Sequence, residues 1–239
     1  MADGAYVALN GLRTRLAELD RLAADLSNVA TAGYKGERTS TYGADRPTFD
    51  ALLMKATDPA PGELKIDFAR GEMAPTGRDL DFAIDGVGFF AIQTPAGVRY
   101  TQNGSFERRA DGTLTTTDGL SVLGADGNPL KLADGTVSVD PDGTVRAGSV
   151  AAGQIRVVQP AADTRIVREG AARFRIDDVT PVTTPSVRNH SLERSNVSVV
   201  EALSHMTAAS RSFEALQRGL VSLMTDVDGR AISELGRRV

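Results

Sequence analysis

Near the N-terminus, apolar residues recur at alternating steps of three and four: Leu9, Leu12, Leu16, Leu19, Ala23, Leu26 and Ala30. That spacing puts one stripe along a helix and matches the a/d seam of a coiled coil over about three heptads. A second stripe of the same spacing runs through Val199, Leu203, Met206, Phe213, Leu220, Met224 and Val227, with Ser210 and Gln217 as its weak points. Ala202, Ala209, Leu216 and Leu223 broaden it, and a face that wide asks for more than one partner helix. The pattern predicts a first helix from Asp3 or Gly4 to about Ala30, stopped by Gly33 and ~40 Å long. Asp20, Arg21 and Asp25 lie off its seam and read as a solvated face. The second helix is expected to open with a capping box, Ser198 and Glu201 closing each other's free backbone donors. Glu214 and Arg218 give it a surface i,i+4 pair, and it is expected to fade near Asp228-Gly229.

Between the helices the period changes. From Gly36 to Gly71 there is none, and Pro47, Pro59 and Pro61 break the segment into an irregular or partly extended connector. From Asp79 the pattern becomes β: "DLDFAIDGVGFFAIQT" reads as strand, turn at Asp85-Gly86, strand. Turn signals follow at Asn103-Gly104, Asp111-Gly112, Asp118-Gly119, Asp126-Gly127, Asp134-Gly135 and Asp142-Gly143. Their spacing of about eight residues is the beat of a meander of short antiparallel strands. Both dipeptides tolerate the positive φ of tight corners. More strands are expected around Gln154–Gln159, Thr164–Val167 and Ala172–Ile176, and "VTPVTTPSV" leads out extended. The expected fold class is α+β: paired, coiled-coil-like N- and C-terminal helices with a central antiparallel β-rich domain. Residues 1–33 with 196–239 form the helical assembly domain, 34–75 the connector and 76–195 the β domain.

At 239 residues, 41% hydrophobic content supports a core, made light by 5% aromatic residues and no Trp. A formal charge of −4 supplies no basic stripe for nucleic acid. The chain has no Cys, which excludes disulfides and thiolate metal sites. No basic n-region and apolar h-region precede Arg13, Arg15 and Glu18, so no cleaved signal peptide is expected. No run approaches the ~20 apolar residues of a membrane span, so direct membrane insertion is not expected.

Candidate chemistry is sparse. Asp79, Asp81 and Asp85 could suggest a metal or an acid pair, but Ala83 stands where a calcium loop needs a ligand and the segment reads as a strand. The Asp-Gly corners are structural. Gly86-Val87-Gly88 is a fragment of a phosphate loop with no helix to complete it. His190 and His205 are the only histidines, and no G-x-S-x-G elbow occurs. No catalytic, cofactor or metal site is expected, and the chain does not read as an enzyme.

Three segments carry a resemblance to a known family. "LSNVATAGYKGERT" (Leu26 to Thr39) resembles the stretch that ends the N-terminal helix of flagellar rod and hook proteins, with Asn28, Thr31, Gly33, Tyr34 and Lys35 at the motif positions. The segment from Gly71 to Gly124 is similar to that family's central signature, including Gly86, Gly88, Phe89 and Phe90. "SLERSNVSVVEALSHMTAASRSFEAL" (Ser191 to Leu216) resembles its C-terminal block, with Ser195, Asn196 and Val197. The short connector and total length look most like the proximal-rod F-type branch, with the distal-rod branch as the nearest alternative. The resemblance implies a structural subunit of the bacterial flagellar basal body, exported unprocessed by the flagellar type III apparatus and assembling helically in the periplasmic rod. Implied partners are copies of itself, other rod subunits, the export apparatus and a possible cell-wall-lytic enzyme.

The stripes place the subunit interface at Leu9, Leu12, Leu16, Leu19, Leu26, Val199, Leu203, Met206, Phe213, Leu216, Leu220 and Met224. The runner-up reading, a β-domain binding module for a cell-wall partner, needs exposed aromatics. Its candidates are Tyr100, Phe106, Phe89 and Phe90. Lone helices that hide one stripe are marginal in water. Limited proteolysis of the free subunit is therefore expected to trim both ends to a core of about residues 70–185. Mass spectrometry of the fragments reads the outcome, and full protection of both ends in a verified monomer counts against it.

Overall fold

The computed structural model describes residues 2–39, 64–162 and 164–235, with helix side chains from Leu9 in the first helix and, in the last, as far as Ser222 and again at Thr225. Pro47, Pro59 and Pro61, the side chain of Met224 and the tail from Arg237 lie outside the described residues. The chain forms two compact units. One comprises Met1–Ser27, Glu37–Asp67 and Ser198–Val239, the other Asn28–Gly36 and Phe68–Val197. Among the described residues the architecture is α+β, with an N-terminal and a C-terminal helix and a β-rich central region.

In the first unit, helix α1 (Ala2–Ser27) packs against helix α2 (Val199–Leu235). A Cβ added at Gly11 would meet Leu216 Cδ1 at 3.4 Å, so the helices run close there. A short ribbon joins strand β1 (Glu37–Thr39) antiparallel to β2 (Leu64–Ile66), with Arg38 and Asp67 paired at 2.7 Å beside it. Both helix ends differ from expectation. Helix α1 stops at Ser27 rather than Ala30, because polar groups close local bonds instead of extending the ladder. Ser27 Oγ donates to Ala24 O at 2.9 Å, and the Thr31 N–H donates to Asn28 O at 3.0 Å in a turn. Helix α2 does not fade at Gly229 but continues to Leu235. One helical Gly costs only about 1 kcal/mol, and no Pro follows to stop the helix. At its start the Glu201 N–H donates to Ser198 Oγ at 3.4 Å, the Ser198 half of the expected capping box.

The second unit is built from antiparallel strands. Strand β3 (Met73–Pro75) is followed by β4 (Phe82–Ile84), β5 (Phe89–Thr94) and β6 (Gly97–Thr101). Then come the short β7 (Phe106–Arg108), β8 (Leu114–Thr116) and β9 (Ser121–Val122). Strands β10 (Val137–Val139), β11 (Thr144–Ala147) and β12 (Val150–Gln154) form their own three-stranded sheet. Next are β13 (Val157–Pro160), β14 (Ile166–Arg168), β15 (Arg173–Ile176) and β16 (Val179–Pro181). The return run splits at His190, whose φ is +53°, into β17 (Val187–Asn189) on β4 and β18 (Ser191–Glu193) on β3.

Hairpins close at the expected Asp111-Gly112, Asp118-Gly119 and Asp142-Gly143 corners. Strands β5–β6 and β11–β12 instead turn at Pro95-Ala96 and Gly148-Ser149. The Asp85-Gly86 and Asn103-Gly104 corners join strands that do not pair, so there is no one continuous meander. The main sheet runs β14-β15-β6-β5-β9-β8-β7. Strand β5 pairs with β6 along one edge and with β13 and β9 in succession along the other. It takes that central place because it is apolar on both faces, and a strand buried on both sides reads as a continuous apolar run. Phe90 meets Phe106 edge-to-face at 5.3 Å, and Phe82 meets the same ring at 5.8 Å. Phe89, on the opposite face, packs with Phe68 and Phe174 at 5.5 and 5.7 Å. Phe82, Phe90 and Phe106 are fully buried in a core with Leu114, Val122, Val145 and Ile155. Phe106→Ala is expected to cost about 3–5 kcal/mol in urea unfolding.

Three of the Asp-Gly corners share one construction. Asp111 Oδ1 accepts the Thr113 N–H at 3.0 Å and Asp142 Oδ1 the Thr144 N–H at 2.9 Å, while Gly112 takes φ +81° between them in the first case. Asp126 Oδ1 accepts the Asn128 N–H at 3.1 Å. These bonds hold all three carboxyls below their ordinary pKa, chiefly through the backbone of Thr113 for Asp111 and of Thr144 for Asp142, and through the Asn128 side chain for Asp126. A lowered folded-state pKa contributes stability above the unfolded value of about 3.9 and loses it as pH falls through the folded value. The melting temperature is therefore expected to hold above about pH 5 and to fall below about pH 4. The combined Asp111→Asn, Asp126→Asn and Asp142→Asn variant should flatten that acid limb in a melting series from neutral to acid pH.

Candidate assembly interface

Within the first unit, the face each helix turns to the other is narrower than the stripes suggested. Leu22 and Asp25 on α1 are buried, as are Ala202 and Ala209 on α2. Small residues at 202 and 209 allow the close approach. Leu12, Leu19 and Leu26 on α1 are half-buried, as are Met206, Phe213, Leu216 and Leu220 on α2. Leu9 (42%), Leu16 (51%), Val199 (42%) and Leu203 (47%) keep nearly half of their surface, and Val200 keeps 79%. At 3.6 residues per turn, Leu16 and Leu22 lie roughly 60° to either side of Leu19. The α1 stripe thus straddles an edge: one flank faces α2, while the Leu9–Leu16 row does not.

Leu22 and Asp25 stood outside the expected stripe, and the solvated face assigned to Arg21 and Asp25 is corrected. Arg21 Nη1 donates to Asp25 Oδ2 at 3.0 Å and to Glu37 O at 2.6 Å, tying α1 to the β1 ribbon. The pair lies four residues apart, the spacing of a helical ion pair. That spacing was its only signal.

Within the second unit, the motif residues of both chain ends converge. Lys35 is fully buried; its Nζ donates to Glu193 Oε1 at 2.6 Å and to Ala69 O at 2.9 Å. Glu193 Oε1 also accepts the Gly71 N–H at 2.8 Å. The Gly33 N–H donates to Glu193 O at 2.8 Å, and Gly33, at φ +66°, has no room for a side chain against Gln102 and Asn103. Asn196 Oδ1 accepts the Gly36 N–H at 2.8 Å, its Nδ2 donates to Ala69 O at 3.2 Å, and its N–H reaches Tyr34 O at 3.3 Å. Arg168 donates to Lys35 O and lays its guanidinium 4.7 Å from the centre of the Tyr34 ring. Asn28 and Thr31 shape the preceding turn, and Ser195 Oγ accepts the Val197 N–H at 3.2 Å. Glu193, Arg168 and the Ala69–Gly71 backbone were not among the expected site residues. An acidic residue two positions before Ser195 was the available hint.

Gly86, Gly88, Phe89 and Phe90 form the β4–β5 corner and the start of β5. A Cβ at Gly88 would sit 2.7 Å from Val157 Cγ1, so the glycine serves packing. Asp85 is clamped by Arg70 at 2.8 Å and Arg188 at 2.6 Å, which keeps its carboxyl below the ordinary range. Tyr100, Phe106, Phe89 and Phe90 are all buried, so none of the four offers a ring to a ligand. A cavity of about 210 Å³ is lined by Thr31, Thr101, Asn103, Thr116, Asp118 and Arg173. Thr101 Oγ1 is spent on Ala172 O and the Asn103 N–H, and Thr116 Oγ1 on the Leu120 N–H. Among the described residues no three His, Asp or Glu side chains are grouped to hold a metal ion.

Polar groups committed to their own turns, beside helices that leave apolar rows uncovered, describe a structural protein. Residues 83–147 match the family model of the flagellar hook protein FlgE/F/G D1 domain, and residues 188–220 that of the flagellar basal body rod FlgEFG protein C-terminal region. The chain is 30% identical over 249 residues to the flagellar basal-body rod protein FlgF of Caulobacter vibrioides, covering 99% of each. It is 31% identical over 250 residues to FlgF of Escherichia coli, covering 95% of each. To FlgG of Bacillus subtilis it is 29% identical over 243 residues, covering 88% of this chain and 90% of that one. The chain belongs to the flagellar basal-body rod protein family, whose members are structural rather than enzymatic, and is most like its F-type members.

The two flanks of the α1 stripe should respond differently in a verified monomer. Leu22→Ala is expected to lower stability by about 2–4 kcal/mol. Leu16→Ala should stay within about 1 kcal/mol of wild type. Far-UV circular dichroism during urea unfolding measures both.

Proposed function

We propose that this chain is a proximal-rod subunit that assembles helically with copies of itself and with other rod subunits through its terminal helices, and so transmits torque. The observation that carries this reading is the uncovered apolar surface on both helices, at Leu9, Leu16, Val199, Val200 and Leu203. Rows on two different helices favour heterologous contacts, which propagate into a filament when they do not close. A few hundred Å² of apolar area per neighbour contributes several kcal/mol at ~25 cal/mol per Å², before ordering costs. In the assembled rod the helices pair as coiled-coil-like elements around an export channel. Leu12, Leu19, Leu26, Met206, Phe213, Leu216, Leu220 and Met224 complete the contact begun by the exposed rows. Residues 1–33 with 196–239 act as the assembly domain, 34–75 as connector and 76–195 as the β domain. The subunit reaches the periplasmic rod through the flagellar type III apparatus without cleavage.

Leu16→Asp and Leu203→Asp each place a carboxylate in a contact where an unpaired charge costs several kcal/mol. Both positions are half-exposed in the single chain, so the monomer should keep its circular dichroism spectrum. Rods should fail to form and cells should lose motility. Asp85→Asn and His190→Ala are expected to leave motility near wild type. Swimming with Leu16→Asp in place would remove the helix rows from this proposal.

A further inference from the structure

The buried pair Lys35–Glu193 joins residues 158 apart in sequence, and its neighbours bring three pieces of chain to one point: residues 33–36, 69–71 and 193–196. The chain enters or leaves this unit after Ser27, Gly36, Asp67 and Val197, and the node lies within a few residues of three of those crossings. Burying two charges is a poor way to gain stability. Their attraction roughly offsets the cost of desolvating them, and apolar or neutral pairs of the same volume do as well. A strand that slips by one residue reverses every side chain, which an apolar pattern penalises where one face is buried. Strands β3 and β18 are three residues long and mostly half-buried, so bonds with fixed donors and acceptors add the missing penalty there.

We propose that Lys35 and Glu193 are positioning residues that fix the register and separation of the chain segments leaving the β unit, and that this, not stability, is what the ion pair contributes. The node is made for it. Lys35 Nζ and Glu193 Oε1 each contact backbone from the Ala69–Gly71 segment, while Gly33 N–H holds the backbone of Glu193 directly. Arg168 closes over the Lys35 carbonyl and the Tyr34 ring. The inference deepens the proposed assembly role, because helices can match a lattice only if the segments that carry them start from a defined place.

The test uses the full chain as a monomer. With no native Cys, Ala30→Cys and Arg194→Cys, both at exposed positions, give two unique spin-label sites. The double variant Lys35→Met with Glu193→Gln removes both charges, keeps volume and leaves an oxygen for the Gly71 N–H. Pulsed electron paramagnetic resonance should show a narrow distance distribution in the labelled parent and one at least about twofold wider in the double variant. Its melting temperature should stay within about 3 °C of the parent, whereas Lys35→Met alone, which strands a buried carboxylate, should lose about 10 °C or more. A narrow distribution in the double variant overturns the proposal. So does a double variant that melts as low as Lys35→Met, because the pair would then be a stabiliser. The distances are read without assembly, so their failure is distinct from failure of the rod reading, which rests on motility of Leu16→Asp.

Discussion

A buried ammonium needs an acceptor wherever the chain puts it, and Lys35 finds one 158 residues away, in Glu193. The pair ties together the two ends of the second unit. Its first segment, Asn28–Gly36, and its last strands come from opposite ends of the sequence and are joined at that pair. Removing either partner leaves the other charged and desolvated, a state far more costly than the pair itself. The strand β18, the Gly33 turn and the Ala69–Gly71 segment are all bonded to the same two side chains or their backbone.

The β unit then closes on itself. Strand β5 buries Phe90 on one face and Phe89 on the other, and each ring completes a separate aromatic cluster. Aspartates at the corners accept backbone N–H groups two residues on, so the turns need no outside partner. Arg70 and Arg188 hold Asp85, and Thr101 and Thr116 beside the small cavity spend their hydroxyls on backbone groups of the same unit. Such a unit offers shape and rigidity. In the helical unit the situation is reversed: α1 and α2 cover Leu22, Ala202 and Ala209, but leave Leu9, Leu16, Val200 and Leu203 substantially in water. A structural subunit needs both properties, a body that is satisfied and a surface that is not.

Local rules made much of this legible in advance. Two amphipathic helices followed from steps of three and four, several hairpin corners from Asp-Gly, and the α2 cap from Ser198. Each depends on neighbours within about one helical turn or one hairpin. The motif residues Gly33, Tyr34, Lys35 and Asn196 could be marked from resemblance, but not what they do.

Tertiary structure decided the rest. A seam drawn at a strict 3.5-residue period cannot tell which flank of a straight 3.6-residue helix meets its partner, so Leu22 was missed and Asp25 was taken for a solvated residue. The sheet order around β5 depended on which strand was buried twice, a property of the packed sheet rather than of any hairpin. The extension of α2 beyond Gly229 reflects how little one glycine costs against a continuing ladder. Above all, the partnership of Lys35 with Glu193 and the anchoring of Asn196 on Tyr34 and Gly36 span some 160 residues. No local periodicity reaches that far. Sequence alone determined the two terminal helices and much of the β region, because local periodicity and turn chemistry suffice for them. Only the folded chain could decide the β1–β2 ribbon and which charges would be buried together, because pairing and burial are properties of the whole packed unit.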